Sequence, residues 1–241
     1  MLHLLLGSLV ALMLFLGFWQ LDRLDQKRTF NATVLERTAM DPVSVVDLVS
    51  AGSEPDGSLE WRIVTAEGTY LPDEQVTLIN RSLDGVAGYS PFVPLQMDDG
   101  TVVFVQRGFV PLAEPMPSIA EGRVSVTGFL RPPQTRGTLG AVDSTDPTAT
   151  EFHRADVELI AARTEAPHLP MYIQLLGQSP AVESVWPQAA RLPDLDEGPH
   201  FSYAMQWWFF SAVALTGWIV VARRAVRTSR VSPGVPEKTS S

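Results

Sequence analysis

The residues able to do chemistry in this chain cluster at a few places. The segment Asp196-Glu197-Gly198-Pro199-His200-Phe201-Ser202-Tyr203-Ala204-Met205-Gln206-Trp207-Trp208 passes from acids through a proline into a long apolar run. Proline suits a first helical position, where its missing N–H costs nothing, and the acids before it complement the positive end of the helix dipole. His200 then falls in the first helical turn. The helix N-terminus and apolar surroundings both favour a neutral imidazole, which keeps a nitrogen lone pair free to bind a metal. Below it at helical spacing come Tyr203, Ala204, Trp207, Ser211, Ala214 and Trp218, a face of aromatic and small side chains that could hold a flat, apolar macrocycle. The competing reading is an interfacial histidine bonded to backbone or lipid headgroups inside an ordinary aromatic belt.

A second place is Leu16-Gly17-Phe18-Trp19-Gln20-Leu21-Asp22-Arg23, with Lys27 on the continuing helical face. Trp19 and Arg23 stand one turn apart, and Gln20 lies beside Arg23. A structural role is sufficient for them: tryptophan anchors at headgroups, and arginine stacks on it or holds a phosphate. A functional role gives Arg23 to a carboxylate such as a haem propionate. Arg81 and Arg107 sit at strand ends beside Gly85, Gly88 and Gly108, and either could reach toward a membrane surface or lie solvated.

Other chemistries find no footing. The chain has no cysteine, which excludes disulfides, thiolate catalysis and Cys-ligated metals. No phosphate-binding glycine loop, dinucleotide fingerprint or nucleophile elbow occurs. His3, His153, His168 and His200 are scattered, never paired at metal spacing. A formal charge of −9 argues against a nucleic-acid partner. The expectation is a protein that is not an enzyme.

These residues need elements to hold them. Leu2 to Leu21 carries no Asp, Glu, Lys or Arg, and twenty helical residues reach about 30 Å, the thickness of a bilayer's hydrocarbon core. Its charged, helix-patterned continuation, to about Met40, marks it as an uncleaved anchor prolonged by a helix. Phe201 to Ala222 is likewise uncharged, with Tyr203, Trp207 and Trp208 near its start and Trp218 before Arg223-Arg224 near its end. Two spans put both termini on one side. Basic residues do not orient the pair, since Arg223, Arg224, Arg227, Arg230 and Lys238 are balanced by Arg23, Lys27, Arg28, Arg37 and Arg191.

Between the spans, strands are expected over residues 61–70, 75–80, 89–97, 101–110, 123–130 and 171–176, bounded by turn residues, with Asp99-Gly100 as the best hairpin signal. Residues 131–150 read as an exposed Pro/Gly-rich excursion, and 155–163 as a short amphipathic helix. The expected architecture is an α+β membrane protein: transmembrane helices over 1–22 and 199–222, a mainly antiparallel β domain over 23–198 forming a twisted sheet or partly open barrel, and a basic tail over 223–241.

The chain resembles the Surfeit locus protein 1 family. The first-span segment Leu16 to Arg23 with Lys27, the pair Gly88-Tyr89-Ser90-Pro91-Phe92-Val93-Pro94-Leu95 and Val103-Phe104-Val105-Gln106-Arg107-Gly108-Phe109-Val110-Pro111, and the segment Gly198 to Trp207 match the family's three signatures in order. Gln106 stands where the family usually has Asn, and Phe109 where it usually has Trp. The resemblance implies an assembly factor for cytochrome c oxidase that matures the haem a centres of subunit I, with haem a synthase and other oxidase subunits as further partners. His200 is implied as ligand to the haem iron. Tyr203, Trp207, Trp19, Gln20 and Arg23, with Arg81 or Arg107, are the further residues expected at a haem a site. The alternative is a scaffold or accessory subunit that stabilises the oxidase without carrying haem. The implied location is a bacterial plasma membrane, with the soluble domain extracytoplasmic and both termini cytoplasmic.

Overall fold

The structure, a computed structural model, describes residues 2–230 except Leu139, Glu165 and Glu183; for Leu2, Ala225, Thr228, Ser229 and Arg230 the backbone alone is described. Lys238 and the rest of the expected tail beyond Arg230 lie outside the described residues. The chain divides into two compact units, one from Met1–Thr33 and Asp194–Ser241, the other Val34–Pro193.

In the first unit, helix α1 (Leu2–Ala39), as far as Thr33, runs against helix α3 (His200–Arg230). The contacts His3–Trp218, Gly17–Trp208, Gln20–His200 and Arg28–Glu197 pair rising with falling residue numbers, so the helices are antiparallel. On α1 as far as Thr33 the buried residues are Met13, Gly17, Leu24 and Asn31, with Gln20 and Lys27 half-buried between them. The steps alternate four and three, which is the seam of a coiled-coil-like pair. α3 answers with Ala204 and Ser211, both buried. The seam is unusually fine at one point: a Cβ on Gly17 would stand 2.1 Å from Trp208 Nε1, so only glycine admits the indole. Both helices are long and apolar enough to cross a membrane, over His3–Ala39 and His200–Arg224. They fit a membrane protein, as the uncharged runs lead one to expect.

The second unit is a nine-stranded mixed sheet. Its strands are β1 (Val43–Ser44), β2 (Ile63–Tyr70), β3 (Val76–Leu83), β4 (Val86–Gln96), β5 (Val102–Gln106), β6 (Val110–Pro111), β7 (Arg123–Arg131), β8 (Glu151–Phe152) and β9 (His168–Ser179), with helix α2 (Val157–Ala161) before β9. The order is β1-β2-β7-β9-β5-β4-β3-β8, and β6 pairs β4. Pairings are mostly antiparallel, but β1–β2, β3–β8 and the central β5–β9 ladder are parallel. A parallel neighbour needs a crossover, and the chain between β5 and β9 provides it. β2 also pairs the end of β4 through Thr69↔Gln96 and Tyr70↔Leu95. The domain is a mixed β-sheet, as against the mainly antiparallel one expected, and among the described residues the β2–β4 ladder joins two strands that are not neighbours in this order.

Side-chain alternation sorts the core into two faces. Val103, Val105, Met171 and Ile173 join Val64, Tyr70, Leu95 and Val126 in one cluster. Val102, Phe104 and Tyr172, the residues between, join Leu78, Phe92, Phe152 and Ile160 in the other, where Phe92 and Phe104 stack at 5.1 Å. β4 is buried without a break from Gly88 to Leu95 because both its faces are covered. The Asp99-Gly100 hairpin forms as expected, with Gly100 at φ 83°.

Candidate functional site

The lead into α3 is built by its acids. Asp194 Oδ1 accepts from the Asp196 N–H, and Asp196 Oδ1 accepts from the Gly198 N–H. Pro199 then presents its carbonyl to the Tyr203 N–H, and the helix begins at His200. The same lead-in is stitched to α1: Lys27 Nζ donates to the Asp194 carbonyl, Asn31 Nδ2 to that of Leu195, and Arg28 makes two 2.9 Å bonds to Glu197. His200 is therefore held by a folded approach on one side and a helix on the other.

Its ring meets α1 through a 2.8 Å hydrogen bond between Nδ1 and Gln20 Oε1. With the amide oxygen accepting, Nδ1 carries the proton and Nε2 keeps its lone pair, the tautomer that a metal ligand needs. The Nε2 edge faces Gly198, where an added Cβ would stand 3.5 Å away. Gly198 has φ +71°, a backbone region that favours glycine. His200 could thus serve as a single metal ligand: one nitrogen oriented by a partner amide, the other beside a position without a side chain.

The neighbours sort differently from the sequence expectation. Along the expected aromatic and small face of α3 exposure varies: Tyr203 is 48% exposed, Trp207 is half-buried, and Ala204 and Ser211 are buried in the seam. Trp208, read from sequence as an interfacial flank, is the residue that packs on Gly17, edge-on to Phe18 at 5.4 Å, and its buried Nε1 has no partner. Trp19 and Arg23 are exposed, and Arg23 donates to Gln26 one turn further along α1.

Arg81 and Arg107 belong to the second unit. A solvated surface does not describe Arg107, which is 2% exposed and donates to the Pro117 and Ser118 carbonyls at 3.3 and 2.5 Å. Burial pushes its guanidinium down from the usual value, with Tyr70 acting the other way. Tyr70 itself is pushed up to about 12 by burial. Arg81 follows a register shift in β3 and is half-buried, with Nε and one Nη buried and unpartnered. Burial lowers it, opposed by Tyr172 and Asp143. Among the described residues no group of three or more His, Asp or Glu side chains could hold a metal ion.

The SURF1 family model matches residues 8–212, which takes in most of α1, the first part of α3 and the whole β unit. The chain belongs to the SURF1 family. An uncharacterised SURF1-like protein of Mycobacterium tuberculosis is 28% identical over 221 residues, covering 88% of this chain and 78% of the relative. A SURF1-like protein of Monosiga brevicollis is 25% identical over 240 residues, covering 93% and 88%. The cytochrome oxidase assembly protein SHY1 of Saccharomyces cerevisiae is 28% identical over 137 residues, covering 52% of this chain and 34% of its own. The histidine and glutamine of the site, at 200 and 20, both lie inside the span that the SURF1 family model matches.

Proposed function

We propose that this SURF1-family protein is an assembly factor for cytochrome c oxidase and that it holds haem a as cargo for subunit I. The observation that carries the haem reading is the Gln20–His200 bond, which leaves Nε2 as a free, oriented donor at a helix end. Family membership and the name of the yeast relative support the oxidase part.

In this reading His200 binds the iron through Nε2, Gln20 orients the imidazole, and Trp207 and Tyr203 lie against the porphyrin. Trp19 and Arg23 stand within one turn of Gln20 on α1, where the Arg23 guanidinium can pair with a propionate. Arg81 and Arg107 are not carried into the proposal, since both guanidinium groups are sunk in the β unit. No covalent step is required of the protein. Passing a porphyrin from its synthase to an oxidase subunit needs only a difference in affinity between holder and acceptor. The reading includes a bacterial plasma membrane as the location, with the β unit extracytoplasmic, and a role that is not enzymatic.

The test is affinity purification from membranes of a host that makes haem a, with the wild type and His200→Ala compared. The reading predicts that oxidase subunit I accompanies both proteins, that haem a accompanies only the wild type, and that the mutant strain's oxidase is deficient in haem a. A mutant that supports oxidase with full haem a content would favour a scaffold that carries no haem.

A further inference from the structure

One flank of β9 is left open. β5 pairs β9 as far as Gln106↔Gln174 and stops, while β9 continues to Ser179 with only β7 beside it among the described strands. The chain after β9 doubles back along this flank: the Ala190 N–H donates to the Leu175 carbonyl, and Gln188 bridges to Phe109. Between the strand and the returning chain is a cavity of about 240 Å³.

Its lining combines features that are costly to place together without a purpose. Leu175, Leu176, Val182 and the flat ring of Trp186 supply apolar walls, with Trp186 edge-on to Phe109 at 6.4 Å. Arg107 supplies a full positive charge at the same cavity. Two of its nitrogens donate to carbonyls, its buried Nε has no partner, and no carboxylate pairs with it among the described residues. A guanidinium withdrawn from water without an anion carries a desolvation cost that two neutral carbonyls only partly offset. Its planar fork is matched to carboxylate oxygens, and a low-dielectric wall strengthens that attraction.

We infer that this cavity is a binding site for a carboxylate carried on a short apolar stem, with Arg107 as the charge partner and Leu176, Val182 and Trp186 holding the stem. The size sets the class, since pockets for drug-sized ligands run from about 300 to 1,000 Å³. This one admits an acid group with a few carbons and excludes a macrocycle. Such a group is found on a small free acid or at the C-terminus of a peptide.

The experiment is calorimetric titration of the full-length protein in detergent with four probes: 3-methylbutanoate, its primary amide, and the peptide acetyl-Gly-Val-Leu as free acid and as C-terminal amide. The site predicts saturable binding of an acid and at least about tenfold weaker binding of the matching amide. Tighter binding of the peptide acid than of 3-methylbutanoate assigns a chain terminus as the occupant, and binding of 3-methylbutanoate alone assigns a free acid. Ala181→Trp fills the cavity from its exposed rim without touching the bonds of Arg107, and it abolishes binding while the melting temperature is held. Equal binding of acid and amide, undiminished binding to Ala181→Trp, or no binding of any probe overturns the site.

Discussion

Gln20 Oε1 and His200 Nδ1 lie 2.8 Å apart although 180 residues separate them in the chain. This bond ties the two helices together and fixes which imidazole nitrogen is free. Removing an outer-shell partner of a metal-ligating histidine typically lowers metal affinity about 10–100-fold. Gln20→Leu is therefore expected to weaken haem a binding by about that factor, whereas Gln20→Glu, which keeps an acceptor, retains most of it. Titration of purified variants with haem a, followed by visible absorption, separates the two. Wild-type affinity in Gln20→Leu would leave the glutamine no part in the site.

The seam of the helix pair makes a sharp steric prediction. A Cβ at Gly17 would overlap Trp208 Nε1 at 2.1 Å, whereas one at Gly7 meets nothing within 4 Å. Gly17→Ala should destabilise the helix pair by roughly 1–3 kcal/mol, as overpacking does, and Gly7→Ala should be neutral. Thermal unfolding in detergent, followed by tryptophan fluorescence, distinguishes them. Equal stability of both variants would mean that the indole does not sit against Gly17.

At the head of α3, the Arg28 side chain holds the Glu197 carboxyl below the usual carboxylate value, first through its hydrogen bond and then through its charge. A lowered carboxyl stabilises above its ordinary range near 4.5 and loses that contribution as pH falls through the lowered value. Glu197→Gln should thus differ from the wild type at neutral pH and converge with it in acid. Both partners are about half exposed, so the difference should also shrink at about 1 M salt, where the screening length is roughly 3 Å. Melting curves across pH and salt check both expectations, and a difference that persists in strong acid would contradict them.

In the β unit, Asp143 is buried and receives His153 Nδ1 at 2.9 Å and Arg154 Nη2 at 3.0 Å. Burial pushes its carboxyl up, but the bonds from the His153 backbone and ring, with the Arg154 charge, outweigh this and leave it lowered. The stability it adds is present above about 3.8 and is lost below. Asp143→Asn strands a cation and should cost roughly 3 kcal/mol in denaturant unfolding at neutral pH. Acidification should narrow that gap. A neutral effect at pH 7 would show that the pair holds nothing in place.

The two long apolar helices and the Asp99-Gly100 hairpin were legible because each is written in consecutive residues: long uncharged runs, and a turn pair between apolar runs. β9 was half legible. Its expected limits at 171 and 176 excluded Leu169-Pro170 and Gly177, since proline and glycine read as punctuation, yet pairing with β7 carries the strand to Ser179. The parallel β5–β9 ladder leaves no local mark at all. At the site, His200 and Gln20 were both singled out, but their bond depends on the register of two helices distant in sequence. The insertion of Trp208 at Gly17 depends on the same register. The burial of Arg107 ran against the default for a charged residue, and nothing adjacent in sequence announces the carbonyls of Pro117 and Ser118 that receive it.

In the proposed function His200 Nε2 carries haem a. The most direct test of this is to express the protein together with haem a synthesis, purify it in detergent, and measure haem per polypeptide and the bound spectrum for the wild type and His200→Ala. A substantial haem fraction is expected in the wild type and near-complete loss in His200→Ala, with the far-UV circular dichroism of the protein unchanged. Equal haem content with an identical spectrum in the folded mutant would contradict that role.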